Sequence, residues 1–212
     1  MHRNRFSAVL ASGAILIAFI AFNLNSIAAA EDAQPPAAQS PLPDMALGKA
    51  DAPVTIIEYS SLSCPHCAAF HKEVFPELQA QYIDTGKVRY VMREFPLNEA
   101  ALAGAVVARC LPADRYFAFT SLLFSKQSDW AYKEDALAPL KALAKQAGMS
   151  GEEFDKCIDN EALQKKILAV RDEGQKKGVN ATPSFFVNGT LLKGAPTLQT
   201  LAEAMKPYLS TQ

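Results

Sequence analysis

From residue 54 to 82 the chain passes through three kinds of sequence in turn. First comes the apolar run Val54-Thr55-Ile56-Ile57-Glu58-Tyr59, then Ser63-Cys64-Pro65-His66-Cys67. A helical pattern carrying Phe70, Val74, Phe75, Leu78 and Tyr82 follows. A buried strand, a short loop and two cysteines three residues apart at the head of a helix form the setting in which Cys-x-x-Cys reads as a redox centre.

The spacing sets the chemistry. Ser63 is placed to cap the helix, and Pro65 suits its first turn, where the missing N–H has no helical partner to lose. Cys64 then meets unpaired backbone N–H groups and the positive end of the helix dipole, both of which favour its thiolate. His66, between the cysteines, adds a donor and, when protonated, a positive charge. A stabilised reduced form makes the disulfide a stronger oxidant. Cys67 lies nearly one turn later on the same face and can attack a mixed disulfide formed at Cys64. Cys64 therefore reads as the nucleophile and Cys67 as the resolving thiol.

Other chemistries fit less well. A zinc site needs two more ligands at ribbon or finger spacing, and His71 is the one near candidate, so no metal is expected. A purely structural bridge seldom spans the first turn of a helix. A non-enzymatic metal-binding or chaperone protein using Cys64, His66 and Cys67 as ligands is the alternative from a different class.

The chain has 212 residues, half of them hydrophobic, with 21 basic and 22 acidic side chains. That suits one globular domain or a domain with a large insertion, and lacks the basic excess that nucleic acid demands. Residues 1–30 read as a signal peptide. Arg3 and Arg5 precede the apolar residues 9–22, and Ala28-Ala29-Ala30 predicts cleavage after Ala30. An uncleaved membrane anchor is the alternative, although an apolar run of about 14 residues is short for a span. Cleavage lowers the basic residues from 21 to 19 against 22 acidic ones, a net charge of −3. Exported cysteines face an oxidising compartment. Residues 31–44, rich in Pro, Ala and Gln, read as a linker too short for a separate dimerisation domain, which predicts a monomer.

Glu58 is the odd residue of the first strand. If that strand is buried on both faces, desolvation raises its carboxyl pKa, and the group can shuttle a proton to or from Cys67. A solvent-facing strand end is the other reading. Pro76 is expected to kink the following helix around Lys72. Residues 88–95 read as a second strand. Helical patterns then fill the chain to Gly178: one capped by Asn98, an aromatic one at 116–124, and others at 135–147, 151–159 and 161–177, with Gly148 and Gly178 as stops. The aromatic stripe reads as core. Cys110 and Cys157 both fall in this stretch and can bridge each other, or stay as two buried thiols. Two short strands flank Asn188-Gly189, a type I′ hairpin signal, and Thr197 caps a terminal helix. On base rates Pro183 follows a trans bond.

Taken together, Cys64-Pro65-His66-Cys67, an acid six residues before the first cysteine, a helical insertion and Thr182-Pro183 before a hairpin resemble the DsbA family of thiol:disulfide oxidoreductases. These are thioredoxin-fold enzymes of the bacterial cell envelope. The resemblance spans residue 45 to near the end and implies an α/β, thioredoxin-like fold with an inserted all-helical subdomain. Residues 45–97 and 179–212 would build the thioredoxin-like domain and 98–178 the insertion. It further implies that Pro183 is a cis-proline opposite the active site, that Thr182 binds substrate backbone and that Glu58 is the buried acid. His71 stands where the best-known family member has an acid, and a bridge such as Cys110–Cys157 occurs in some branches only.

The implied function is periplasmic. The Cys64–Cys67 disulfide, with no other cofactor, would be passed to reduced or unfolded exported proteins held in a shallow apolar groove at Leu62, Pro65, Phe70 and Phe185. A DsbB-type membrane partner would reoxidise the pair. A disulfide isomerase or reductase kept reduced is the alternative within the same chemistry.

Overall fold

The computed structural model describes residues 40–209. The expected signal peptide at 1–30, its cleavage after Ala30 and residues 31–39 of the expected linker lie outside the described residues.

The strands are β1 (Met45–Leu47), β2 (Val54–Ser60), β3 (Val88–Glu94), β4 (Ser184–Val187) and β5 (Thr190–Leu191), in the sheet order β1-β3-β2-β4-β5. β2 and β3 are parallel, with Val54 opposite Val88 and Ser60 opposite Glu94. β1 pairs antiparallel with β3, and β4 antiparallel with both β2 and β5. β2 is thus central, and its continuous apolar run follows from cover on both faces: Val54, Ile56 and Tyr59 are all buried. β1 has no counterpart in the sequence expectation, because three residues carry too little periodicity to read.

Helix α1 (Pro65–Glu73) leads out of β2 and is followed by α2 (Phe75–Leu78) and a π-helical turn at Gln79–Ile83. Pro76 has no N–H to offer the carbonyl of Lys72, and the helix breaks at Val74 (φ −110°, ψ −44°). The break is therefore a full interruption, and Pro76 sits in the first turn of α2, where proline is tolerated.

The insertion comprises α3 (Glu99–Cys110), α4 (Tyr116–Ser125), α5 (Gln127–Trp130), α6 (Leu137–Gln146), α7 (Gly151–Ile158) and α8 (Glu161–Lys176). Asn98 Oδ1 accepts the Ala101 N–H at 2.9 Å and starts α3. Ser150 and Glu153 form a reciprocal capping box on α7. Tyr116, Phe119, Leu123 and Phe124 are buried, so the aromatic stripe of α4 is core. Helix α8 returns the chain to the sheet and lies close on it: a Cβ at Gly174 would fall 2.7 Å from Tyr59 Cε1. Cys110 and Cys157 are joined by a disulfide with Cα atoms 6.2 Å apart, linking the end of α3 to α7.

Two ion pairs, one buried and one partly buried, tie the start of the described chain to the sheet and insertion. Arg93 Nε and Nη2 donate to Asp44 at 2.9 and 3.0 Å. Arg109 holds both oxygens of Glu94 and the Pro43 carbonyl, and the Tyr116 hydroxyl donates to Glu94 Oε1 at 2.8 Å. At the other edge Asn188 (φ 43°) and Gly189 (φ 83°) make the β4–β5 turn. Asn188 Oδ1 also accepts the Thr55 N–H at 2.7 Å, pinning the hairpin to β2. Helix α9 (Leu198–Leu209) follows, with Thr197 Oγ1 accepting the Thr200 N–H. The whole is a thioredoxin-like sheet with a helical insertion.

Candidate active site

The site grows from the end of β2. The Cys64 N–H donates to Ser61 O at 3.0 Å, and this turn keeps Cys64 extended (φ −87°, ψ 121°), so Pro65 is the first helical residue. Cys64, rather than Ser63, is the N-cap of α1. The expected Ser63 cap comes one residue too early, and its Oγ instead shares a hydrogen bond with Ser61 Oγ at 3.2 Å.

The two thiols are free and buried, and their environments push them apart. For Cys64 the largest cause is the hydrogen bond from Cys67. Burial opposes it, and the Thr182 side chain with the backbone N–H groups of Cys67 and His66 reinforces it, so the thiol is lowered to about 5. The Cys64 thiol also lies 3.2 Å from the Thr182 carbonyl. Cys67 is fully buried. Burial raises its pKa far above the ordinary thiol value, and the neighbouring Cys64 and the charge of Glu58 push it the same way. One sulfur favours its charge and the other keeps its proton.

Glu58 is completely buried between β3 and β4, opposite Met92 and Phe185. Its Oε2 faces His71 Nε2 at 3.0 Å and accepts the Tyr90 hydroxyl. The sequence-based expectation of a raised carboxyl pKa is corrected here. Burial does act upward, but the charge of His71 and the hydrogen bonds from His71, Tyr90 and Ser60 outweigh it, leaving Glu58 below its ordinary value. Ser60, two residues on and so on the same strand face, favours the ionised forms of both Glu58 and Cys67. Glu58 Oε1 and Ser60 Oγ are both buried.

His66 and Pro65 are exposed at the rim. His66, Ala69, Phe70, Val74, Thr182 and Pro183 line a shallow hollow of about 310 Å³. The Thr182–Pro183 bond is cis, and Thr182 Oγ1 is buried. The expected groove residues are placed differently. Leu62 and Phe185 are 4% and 2% exposed and belong to the core, while Phe70, 3% exposed, forms the floor of the hollow and packs on Phe185. The groove expectation is corrected for Leu62 and Phe185, since both fill space under the sheet end.

Three neighbours escaped sequence reading. Tyr90 reaches Glu58 from 32 residues away, and Gln127 and Tyr132 reach the cysteine turn from the insertion. Nothing local in the sequence marks them, because each acts across a large chain separation. Among the described residues no group of three or more His, Cys, Asp or Glu is arranged to hold a metal.

Known proteins share this architecture. The profile of the family described as Thioredoxin matches residues 40–207. Alpha-DsbA1 of Wolbachia pipientis superposes with a TM-score of 0.74 at 32% identity, over 81% of this chain and 94% of that one. Disulfide bond formation protein D of Bacillus subtilis is 30% identical over 169 residues, 77% of this chain and 76% of that protein. A candidate protein-disulfide oxidoreductase of Rickettsia conorii is 35% identical over 171 residues, which cover 80% of this chain but only 61% of the relative. With the profile spanning most of the described residues, and a relative 30% identical that the match covers to 76% of its length, the chain belongs to the thioredoxin family, in the branch of the DsbA-like disulfide oxidoreductases.

Proposed function

We propose that the chain is an exported thiol:disulfide oxidoreductase that introduces disulfide bonds into reduced or unfolded exported proteins. The observation that carries this reading is the placement of the two free cysteines. Cys64 sits at the N-cap of α1 beside the cis Thr182–Pro183 loop and Cys67 lies fully buried one turn on, which lowers the Cys64 thiol and keeps Cys67 protonated. A low-pKa thiolate is a good leaving group, and its stability in the reduced protein is what makes the disulfide oxidising.

Exchange starts from the oxidised pair. A substrate thiolate attacks Cys64 Sγ, the Cys64–Cys67 bond breaks, and Cys67 leaves as a thiolate that takes up a proton. A second substrate thiolate then attacks the substrate sulfur of the mixed disulfide, and Cys64 leaves as its stabilised thiolate. Two electrons have passed to the pair and the substrate holds a disulfide. His66 stands at the rim and Thr182 and Pro183 beside Cys64, where a substrate backbone would lie.

Reoxidation reverses the sulfur chemistry. A DsbB-type, quinone-linked membrane partner would form a mixed disulfide at Cys64. Cys67 must then lose its proton to attack it, with the Glu58 carboxylate as the acceptor. The dithiol is the redox group and no prosthetic group is required. Residues 1–30 would direct export to the periplasm, with cleavage after Ala30, and the protein would act as a monomer. Cys110 and Cys157 would serve as a structural bridge.

The test is the thiol state of Cys64 and Cys67 in growing cells, trapped by acid quench and alkylation in a Cys110→Ser/Cys157→Ser background. Mostly oxidised cysteines are expected. Mostly reduced cysteines would replace the oxidase reading with a disulfide isomerase or reductase.

A further inference from the structure

Leu62, Ser63 and Cys64 lead into the active-site helix, and side chains of the insertion engage the carbonyls of all three. Gln127 Nε2 donates to Leu62 O at 2.9 Å and to Cys64 O at 3.0 Å. The Tyr132 hydroxyl lies 2.7 Å from Gln127 Oε1 and 3.1 Å from Ser63 O, so its single proton is shared between them. Because Nε2 faces two carbonyls, the orientation of the amide is fixed, and Oε1 must be the atom that meets Tyr132.

The support behind these contacts is rigid. Gln127 is itself buried and opens α5, whose Trp130 is fully buried and donates Nε1–H to Leu123 O at 2.9 Å. Trp130 and Leu62 both press on Gly104 of α3, where an added Cβ would fall 2.8 and 3.1 Å from them. Tyr132, by contrast, is 53% exposed beside the cysteine turn. Its phenol is made less acidic first by burial and then by the negative charge of Cys64.

The physical consequence concerns the sulfur. Carbonyl oxygens next to a thiolate carry partial negative charge, and donors aimed at them offset it. The Cys64 carbonyl also accepts the Ala68 N–H at 3.1 Å, so its direction sets the first turn of α1. We propose that Gln127, locked by Tyr132, is a positioning residue for the Cys64 thiolate. It holds the Leu62–Cys64 turn so that the backbone N–H groups of the helix start point at the sulfur. This inference rests on the thiol–disulfide exchange reading of the site. It gives the inserted subdomain a part in setting the redox strength of a centre that sits in the thioredoxin-like part.

The experiment compares wild type with Gln127→Met and Tyr132→Phe in the purified chain. Methionine keeps the length and packing of Gln127 while removing the donor. Circular dichroism and the thermal midpoint establish folding. Thiolate absorbance against pH and the equilibrium with glutathione are then read. In Gln127→Met the titration midpoint of Cys64 should move upward. The equilibrium constant for reduction of the pair by glutathione should fall about fivefold, the scale of one lost hydrogen bond. Tyr132→Phe should shift both in the same direction by less, and it decides the matter alone if Gln127→Met does not fold. Folded variants indistinguishable from wild type in both readouts would overturn the positioning role. A wild-type pair that does not exchange with glutathione at all would instead overturn the exchange reading beneath it.

Discussion

Glu58 Oε2 and His71 Nε2 face each other at 3.0 Å in the core beneath Cys67, their side chains 0% and 4% exposed. His71 is four residues beyond Cys67 on α1, so the helix that presents the cysteines also supplies the partner of the buried acid. Its ring is stacked on Phe124 of α4, with centroids 4.3 Å apart, which fixes it from the insertion side. Removing one member of such a pair leaves the other charge buried and uncompensated, at a typical cost of about 3 kcal/mol or more. His71→Ala should lose about that much in urea unfolding at pH 7.

The pH dependence of the same variant has a definite sign. In the wild type the carboxyl pKa of Glu58 is lowered by folding. Its contribution is therefore present above the ordinary carboxylate value of about 4.3 and is lost as pH falls through the folded value. Without His71 the burial effect prevails and the folded pKa rises. The variant should then gain stability relative to wild type as pH drops from 7 towards 5. A constant difference across that range would show that His71 acts by packing on Phe124 alone.

Glu58 and Ser60 have a kinetic role to test. Loss of a positioned proton acceptor typically slows a step by about a hundredfold. In single-turnover reoxidation of the reduced protein by oxidised glutathione, Glu58→Gln should slow the second step, the attack of Cys67 on the mixed disulfide, by about that factor. Ser60→Ala, which removes a hydroxyl that favours the charged forms of both neighbours, should slow it by less. The first step at Cys64 should be unaffected in both. An unchanged second step in Glu58→Gln would remove the carboxylate from the proton path.

A fourth expectation concerns Cys64. Its pKa in the folded, reduced protein is lowered to about 5. In the unfolded chain it returns to the ordinary thiol value of about 8.5. Between those values the unfolded chain binds more protons, so the stability of the reduced form rises with pH. The contribution is complete above the unfolded value and disappears as pH falls through about 5. The oxidised form has no such term. The reduced protein should therefore lose stability relative to the oxidised protein as pH falls from 7 to 4, on top of the pH-independent restraint that the Cys64–Cys67 bridge places on the oxidised chain. A difference in stability independent of pH would contradict a stabilised Cys64 thiolate.

Much of this arrangement is legible in the residues, and the parts that are not share a physical cause. The central strand, the cysteine spacing, Asn98 as a cap, Gly148 and Gly178 as stops and Asn188-Gly189 as a turn are all local signals, and the chain uses them locally. Ser63 misleads because the choice between two adjacent caps is made by the Ser61–Cys64 turn hydrogen bond, not by cap preference. The direction of the Glu58 shift misleads because its deciding partners, His71 and Tyr90, lie 13 and 32 residues away. Leu62 and Phe185 are apolar residues beside a reactive centre, and composition alone cannot say whether such residues face water or the core. Gln127 is a single polar residue after an aromatic helix, with its partners more than 60 residues earlier.

The Cys110–Cys157 bridge closes a loop of 47 residues within the insertion, joining the end of α3 to α7. In the chain-entropy account, a cross-link over that span restrains the unfolded chain by about 4 kcal/mol. Cys157 is buried beneath α3, with its sulfur 3.4 Å from the Val106 carbonyl, whereas Cys110 is exposed, so serine at both positions puts one small hydroxyl in the core beside a carbonyl that can accept from it. The Cys110→Ser/Cys157→Ser protein should therefore keep its fold but unfold at lower denaturant, with a loss of about 4 kcal/mol. The bridge does not touch Leu62, Ser63 or Cys64, whose carbonyls are held from α5 and Tyr132. The thiolate titration of Cys64 should accordingly stay at its wild-type midpoint in the same variant. A shifted midpoint would show that the bridge reaches the active site through α3, and its role would then be more than structural.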